Sequence, residues 1–277
     1  MRTDETASAR AKVGVAHGIE NESIRAQAAV LAEELGLPFV DSDLPSAETP
    51  ELLLVVGERR LELREAGRGL MGPIFVDFVR GPVGFRRRSG RSRRQPIGLA
   101  VGLPRGPVTV VDATAGLAQD SFLLASLGCT VIAVERSPVL GALIRDGLRR
   151  ARAEGSPEVV AVVDRITFIA DDARNVLARM TGTTAPQVVY IDPMYPPKKK
   201  TALPKKEMRI CRRLVGDDQD AGELLMIARQ VATRRVVVKR HPYAAPLAPR
   251  PAIQFPGKKV RYDVYRPIGY RLPRLRC

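Results

Sequence analysis

Three acidic side chains stand where predicted β-strands end. Asp112 ends a short apolar strand, Glu135 ends the next one, and Asp192 ends a later one. The carboxyl ends of parallel strands meet at one edge of a sheet, where ligands of open α/β sheets bind. Carboxylates at that edge can accept hydrogen bonds from hydroxyl and amino groups. The arrangement predicts a crevice for a nucleotide-like ligand.

The turn after Asp112 suits such a ligand because it carries almost no side-chain bulk. Residues 109–120, TVVDATAGLAQD, pass from a β-branched strand through small residues into a helix. The N–H groups at the start of that helix would face the ligand. Glu135 follows about 20 residues later, the spacing at which a carboxylate holds ribose hydroxyls. The full G-x-G-x-x-G pattern is absent, so a crossover without a ligand remains an alternative.

Composition restricts the other chemistry available. The 277-residue chain has two histidines, His17 and His241, too few for a histidine triad or a typical metal site. Its three cysteines lack C-x-x-C spacing, which argues against a zinc site or a disulfide framework. We find no membrane-spanning stretch and no signal peptide, so we expect a cytoplasmic protein. Catalysis, without a metal, would use carboxylates, backbone groups or a cofactor.

The formal net charge of +15 indicates a polyanionic partner, although a general bias towards arginine would also produce it. Six arginines lie within nine residues, and acids are absent from that run. Such a run favours pairing with phosphates over a solvated linker. A second basic cluster follows the Asp192 loop. We predict that the two clusters bind nucleic acid through Arg86, Arg87, Arg88, Arg91, Arg93, Arg94, Lys198, Lys199 and Lys200.

Strands and helices alternate from residue 109 onward, which predicts a parallel sheet covered on both faces. Further strands are predicted at 129–135, 166–170, 187–191, 235–239 and 258–266. One helix begins at Pro138 after a Ser137 N-cap, another covers 223–232, and 242–256 is predicted to be a loop. The acid pair Asp171 and Asp172 follows a strand, where it contacts a ligand, caps a helix, or does both.

The first 80 residues predict a small α/β domain. It would contain a strand at 12–16, a helix at 22–35, a hairpin at 51–56 and 60–64, and a strand at 73–79. We expect this domain at 1–80, an Arg/Gly/Pro-rich junction at 81–107 and an α/β domain at 108–277. The first domain would either place the substrate or serve as a structural extension.

Five segments in fixed order resemble the RsmJ family. They are VVDATAGLAQDSFLLASLGC, VERSPVLGALIRDGLRRA, QVVYIDPMYPPKKKTALPKKEMR, LVG and RRVVVKR. The resemblance covers most of residues 50–266. It implies a Rossmann-like class I fold and S-adenosylmethionine (SAM) as the cofactor. It also implies methylation of the exocyclic N2 of a guanine in 16S ribosomal RNA, guanine 1516.

The resemblance also implies which residues bind the cofactor. They are Gln119, Asp120, Glu135, Arg136, Asp172, Ala173 and Asp192, and the strand-turn-helix pattern adds Asp112 and Gly116. The methionine and ribose parts would contact Gln119, Asp120, Glu135 and Arg136. The adenine would contact Asp172 and Ala173, and the methyl-donor end Asp192. This chain has GLAQD where the family usually has GLGRD, and Asp172-Ala173 where it usually has two serines.

The sequence Asp192-Pro193-Met194-Tyr195-Pro196 resembles the (Asp/Asn)-Pro-Pro-(Tyr/Phe) loop of amino methyltransferases. The guanine amine is a poor nucleophile because it is conjugated with its ring. A carboxylate that accepts its hydrogen bond helps its lone pair localise. We expect Asp192 to play this part, Tyr195 to stack on the base, and Pro193 to stiffen the loop. A proline-rich loop with a packed tyrosine is the structural alternative.

Two other classes of protein remain alternatives. A nicotinamide-dependent oxidoreductase would use the same sheet, although the glycine fingerprint is incomplete. A non-catalytic RNA-binding protein on a methyltransferase fold would keep the arginines and lose the cofactor. The expected partner is 16S ribosomal RNA or the small ribosomal subunit, and no membrane is expected.

Overall fold

The computed structural model describes residues 11–41, 50–67, 72–80, 92–194, 206–216 and 218–268. By compactness the chain divides into two units, each drawn from several stretches of sequence. Unit 1 comprises Met1–Val76, Ser137–Arg150 and Met194–Asp218, and unit 2 comprises Asp77–Arg136, Ala151–Pro193 and Gln219–Cys277. The division expected from the sequence, with boundaries after residues 80 and 107, stays a prediction.

Unit 1 contains a four-stranded sheet in the order β2-β1-β3-β4. Its strands are β1 (Val13–His17), β2 (Phe39–Val40), β3 (Leu52–Val56) and β4 (Leu61–Glu65). Strand β1 pairs in parallel with β2 and β3, whereas β3 and β4 form an antiparallel hairpin. The predicted first strand and hairpin are confirmed to within one residue at each end.

Helix α1 (Glu22–Leu35) has the predicted bounds, and its ends follow from local chemistry. The Asn21 side chain accepts hydrogen bonds from two N–H groups of the first turn. Gly36 ends the helix with a φ of 61°, a conformation that glycine adopts without a steric penalty. Ile24, Ala28 and Ala32 form the buried face.

The strand predicted at 73–79 is wrong. Ile74 makes a single antiparallel bridge with Leu63. The Asp77 carboxylate then accepts hydrogen bonds from two following backbone N–H groups, at 2.9 and 2.8 Å, and turns the chain. Alternate residues from Ile74 to Phe78 are buried, as in a strand, but the described residues provide no ladder for them to join.

Unit 2 contains a seven-stranded sheet in the order β10-β11-β9-β8-β5-β6-β7. The strands are β5 (Thr109–Asp112), β6 (Thr130–Glu135), β7 (Ile166–Ala170), β8 (Val188–Ile191), β9 (Arg235–Arg240), β10 (Ile253–Pro256) and β11 (Arg261–Tyr265). Strands β5 to β9 pair in parallel, but β10 and β11 are antiparallel. The predicted all-parallel sheet is therefore wrong for the last two strands. The predicted 242–256 loop is also wrong where β10 pairs with β11.

The order of the strands places a crevice beside β5. The chain runs from β5 outward through β6 to β7, then returns to β8 on the other side of β5 and continues to β9. This is the reversal at which open α/β sheets bind ligands, beyond the carboxyl ends of the strands. Asp112 ends β5 and Asp192 follows β8, so the fold brings these two predicted site residues to one edge.

Seven further helices occur in the described residues. They are α2 (Pro96–Val101), α3 (Gln119–Ser126), α4 (Pro138–Glu154), α5 (Pro157–Val163), α6 (Ala173–Ala178), α7 (Lys206–Val215) and α8 (Ala221–Val231). Helix α2 lies within the predicted junction. It forms there because Ile97 and Val101 supply a buried face and Pro96 suits its first turn. None of the described helices is long and apolar enough to cross a membrane.

The core of unit 2 explains why its central strands read as continuous apolar runs. Val111, Val189 and Val236 are fully buried and pack in one cluster with Leu225 of α8.

Cys129 is also buried, and burial raises the pKa of its thiol to about 12. It therefore remains protonated near neutral pH.

Candidate active site at the carboxyl edge of the sheet

The turn between β5 and α3 leaves its backbone accessible to a ligand. Gly116 has a φ of 58°, and its N–H donates a hydrogen bond to Glu135 Oε2 at 2.8 Å. Apart from Gly116 itself and its two chain neighbours, no heavy atom of the described residues lies within 4 Å of the position that a Cβ on Gly116 would take. Ala118 is also left-handed, with a φ of 55°, although alanine pays about 1–2 kcal/mol for that conformation. Glu135, itself buried, therefore fixes a turn with little bulk.

Asp112 is a fully buried carboxyl group inside this turn. Its Oδ2 accepts a hydrogen bond from the Ser121 hydroxyl at 2.5 Å, and its Oδ1 accepts one from the Thr114 N–H at 3.3 Å. Burial raises the pKa of Asp112 to about 7, although the Ser121 hydrogen bond works in the opposite direction. Asp112 thus joins the strand, the turn and the helix, and carries a proton much of the time below pH 7.

Lys239, near the end of β9, bridges two carboxylates. Its Nζ donates hydrogen bonds to Asp120 Oδ2 at 2.7 Å and to Asp192 Oδ2 at 2.8 Å. Burial opposes the charged ammonium, but the two carboxylates outweigh it and raise the pKa of Lys239. The Tyr190 hydroxyl also donates to Asp120, at 2.6 Å. Burial, reinforced by Asp120, raises the pKa of Tyr190, so it remains a neutral donor.

The Asp192 loop is tied to the turn through its backbone. The Asp192 N–H donates a hydrogen bond to the Thr114 hydroxyl at 2.7 Å. Two residues later, the Met194 N–H donates to Asp218 Oδ2 at 2.7 Å, and the Asp218 N–H donates to the Met194 carbonyl at 3.2 Å. These contacts fix the first three residues of the loop. The Asp192 side chain is 37% exposed, so solvent or a substrate reaches it.

A charged network follows the ends of β6 and β7. Arg136 donates a hydrogen bond to Asp220 at 2.6 Å. Asp172 caps α6 through the Arg174 N–H, and the Arg174 guanidinium contacts both Asp172 oxygens. These hydrogen bonds lower the pKa of Asp172, against a smaller effect of burial. Asp172 therefore has the helix-capping role. A contact of Asp172 with a ligand stays a prediction. The predicted ligand contact of Ala173, the first residue of α6, also stays a prediction.

Most of the predicted RNA contacts cannot be placed. Tyr195, Arg86, Arg87, Arg88, Arg91, Lys198, Lys199 and Lys200 lie outside the described residues. Arg93 and Arg94 are described and exposed. The Arg93 Nε–H donates to the Leu127 carbonyl at 3.3 Å, at the end of α3, so this arginine also has a structural contact. In the described ranges no group of three or more His, Cys, Asp or Glu side chains is placed to hold a metal ion.

Sequence reasoning missed Lys239, Thr114 and Ser121 as parts of the site. The sequence does contain one signal that could have identified Lys239. A charged residue near the end of an apolar strand lies at the ligand-binding edge of the sheet. Thr114 and Ser121 look like ordinary turn and helix residues. Gln119 begins α3 beside Asp120, as expected, but within the described residues no hydrogen bond or ion pair gives its side chain a role.

Comparison with known proteins agrees with this geometry. Residues 39–267 match the family model for SAM-dependent methyltransferases, SAM_MT. The chain is 46% identical over 247 residues to ribosomal RNA small subunit methyltransferase J of Thioalkalivibrio sulfidiphilus, covering 88% of this chain and 94% of the relative. Its identity to the protein of the same name from Nitrosococcus oceani is 44% over 238 residues, covering 85% and 91%.

The structural comparison leads to the same family. A solved SAM-dependent methyltransferase from Neisseria gonorrhoeae superposes with a TM-score of 0.71 at 34% identity, covering 93% of this chain and 97% of that one. The Rossmann-like class I fold implied by the sequence is confirmed. The chain belongs to the SAM-dependent methyltransferase family whose members include ribosomal RNA small subunit methyltransferase J, the RsmJ family.

Proposed function

We propose that this enzyme transfers a methyl group from SAM to the exocyclic N2 of a guanine in small-subunit ribosomal RNA, guanine 1516, in the cytoplasm. The family supports SAM as the cofactor, and the names of the relatives support the RNA. The observation that carries the proposal is the bridge from Lys239 to both Asp120 and Asp192. It joins the start of the cofactor-binding helix to the loop that would hold the amine. Family membership argues against an oxidoreductase.

The residues present fit SAM. Gly116 offers a backbone that a ligand can approach closely, and the Glu135 carboxylate beside it would hold the ribose hydroxyls. Asp120 and Gln119, at the start of α3, would contact the methionine part. Asp120 and Asp192 carry two negative charges against the one positive charge of Lys239, which favours a cationic ligand. Bound SAM would supply the methyl group, attached to a positively charged sulfur.

Asp192 is the group we place against the reacting amine. Lys239 orients its carboxylate through a hydrogen bond, and the Thr114 hydroxyl fixes its backbone. The carboxylate accepts a hydrogen bond from the guanine N2–H, which turns the nitrogen lone pair out of conjugation and towards the methyl group. The surplus proton of the amine then passes to Asp192 or to water. Pro193 limits the motion of the loop, and Tyr195 stacks on the base.

The basic clusters would supply affinity for the RNA backbone. Arginines from Arg86 to Arg94 would pair with phosphates without reading the sequence, as would Lys198, Lys199 and Lys200. The sheet of unit 1 has no nucleotide turn in its described residues, and we assign it to substrate placement. The partner is 16S ribosomal RNA, free or in the small subunit.

The test uses the protein with labelled SAM and small ribosomal subunits, or their RNA, lacking the modification. We expect label in N2-methylguanosine at guanine 1516. Subunits that already carry the modification are the control and should take up none. Label in the ribose, in another base, or at another guanine would contradict the proposal.

A further inference from the structure

The loop after β9 presents an exposed tyrosine. The Tyr243 side chain is 85% exposed, although most large aromatic side chains are substantially buried. Its ring centroid lies 5.7 Å from that of His241, with the two rings tilted by 52°. Tyr243 therefore contributes little to the core. An exposed aromatic residue on a loop beside a candidate active site is typical of a contact surface.

Three side chains hold the backbone of this loop through hydrogen bonds to its peptide groups. Arg261 donates hydrogen bonds to the Pro242 carbonyl at 2.6 Å and to the Ala244 carbonyl at 2.8 Å. Arg240 donates to the next carbonyl, and the Tyr265 hydroxyl bonds both backbone groups of Ala248. None of these contacts uses the Tyr243 ring. The ring thus stands on a fixed backbone, which lowers the entropic cost of binding.

The register of the strands puts this loop at the edge of the candidate active site. Ile191 is opposite Val238, so Asp192 and Lys239 lie at the same edge, and Tyr243 follows Lys239 by four residues. The Cα atoms of Lys239 and Tyr243 are therefore at most about 14 Å apart. Arg240 is opposite Arg261, and Arg261 is opposite Pro256, so the turn at 257–260 lies at this edge too.

The same segment is basic. Residues 240–262 contain no aspartate or glutamate. Lys258 and Lys259 are exposed on the 257–260 turn, and Arg250 is exposed on the loop. An aromatic face and lysines at one edge of a sheet, in a segment without acids, suit single-stranded nucleic acid, whose unstacked bases and phosphates need these two kinds of contact. A protein partner with an acidic surface would match the charge, but it would not require an exposed ring on a preorganised backbone.

We propose that Tyr243, Lys258 and Lys259, the Tyr243 surface, bind the single-stranded RNA that flanks the target guanine. Tyr243 stacks with a neighbouring base, and the two lysines pair with phosphates. The proposal rests on the proposed function and extends it, because the surface differs from the two basic clusters predicted from the sequence. Tyr243 and both lysines belong to unit 2, as do Asp192 and Lys239.

The experiment measures binding of unmodified 16S RNA transcript and of unmodified small subunits to the full-length protein. Tyr243→Ala should weaken transcript binding by roughly 5- to 150-fold, the range of a lost stacking contact, whereas Tyr243→Phe should bind like the parent. Lys258→Ala with Lys259→Ala should lower the log–log salt slope by about 1.4, from two lost phosphate contacts to single-stranded RNA. SAM affinity, measured by calorimetry, should not change in either variant.

The matched control removes two exposed arginines from the opposite edge of the sheet, Arg105→Ala with Arg234→Ala, and should leave the salt slope near the parental value. Parental transcript binding by Tyr243→Ala would overturn the proposal. Weaker binding to subunits alone would indicate a ribosomal protein as the occupant, and would also overturn it. Because these are binding measurements, a parent that binds the RNA but does not methylate it would refute the proposed function and leave this surface testable.

Discussion

Lys239 determines the charge balance between Asp120 and Asp192 in the candidate active site. Without it, the carboxylates of Asp120 and Asp192 would face one another across the space that the ammonium spans at 2.7 and 2.8 Å. Removing one partner from such a partly buried group leaves uncompensated charge, which usually costs more than the pair contributes. We therefore regard Lys239 as the residue that positions Asp192.

Lys239→Met should slow methyl transfer more than it weakens RNA binding. The loss of the ammonium lets the Asp192 carboxylate turn away, and we expect a fall of about 10²-fold in kcat, the scale of one lost electrostatic contact in the transition state. Lys239→Arg keeps the charge and should recover part of the rate. Arg234→Met, which removes an exposed charge just before β9, is the control. A parental kcat for Lys239→Met would contradict the assignment.

Asp112 should make the stability of the protein depend on pH. Burial raises its pKa from 3.8 to about 7, so the folded protein holds a proton that the unfolded chain has lost between those values. Stability should fall as the pH rises through this window, by up to about 4 kcal/mol, and level off above it.

Asp112→Asn cannot ionise and isolates this effect. Its free energy of unfolding, relative to the parent, should rise between pH 4 and 7 and remain constant above pH 8. Urea unfolding at pH 5, 7 and 8.5 measures the difference. If the gap between the two proteins is the same at all three values, Asp112 does not titrate as the structure indicates.

At the scale of elements, the strand, turn and helix from β5 to α3 organise the site. The turn reads as small residues after an apolar strand, so its position was predictable from local pattern, as was Glu135 at the end of the next strand. The contact between Lys239 and Asp192 was not predictable in this way, because it requires β8 and β9 to be neighbours in the sheet. Strand β10 was not predicted for the same reason, because its antiparallel ladder forms with β11.

Ala118 gives a test of the turn that needs no substrate. Ala118→Gly relieves a left-handed φ worth about 1–2 kcal/mol. It loses about 0.8 kcal/mol from the buried methyl and about 0.4–1 kcal/mol through the flexibility of the unfolded chain. We expect a net change within about 0.8 kcal/mol.

Ala125→Gly, within the helix that Ala118 precedes and equally buried, is the matched control. It has no left-handed strain to relieve, so it should destabilise by about 1.5 kcal/mol or more. Denaturant unfolding of both variants compares them directly. Equal losses of stability would show that the turn does not hold Ala118 in the left-handed conformation.

At the scale of the whole molecule, a strongly basic chain contains an acidic candidate active site. The net charge of +15 suits a phosphate backbone, while Asp120 and Asp192 favour a cationic cofactor. Charge and composition predicted the polyanionic partner without any fold. They could not predict which arginines serve structure, and Arg93 shows why, because its contact with the Leu127 carbonyl depends on the packing of α3.

The arginine run should control how RNA binding responds to salt. Replacing Arg87, Arg88 and Arg91 by alanine should lower the log–log slope by about 2, at roughly 0.7 for each phosphate contact with single-stranded RNA. SAM affinity should stay the same. Titration of unmodified 16S RNA between 50 and 300 mM salt measures the slope, and an unchanged slope would mean that the run is a solvated linker.

The role of Asp192 is the central claim, and single-turnover methylation of unmodified small-subunit RNA by Asp192→Asn tests it most directly. Asparagine keeps the size of the side chain but loses the charged acceptor for the guanine amine. At saturating SAM and RNA, we predict a methyl-transfer rate about 10²-fold or more below the parent, with RNA binding nearly unchanged. A variant that methylates at the parental rate would contradict the account, because Asp192 would then not hold the amine.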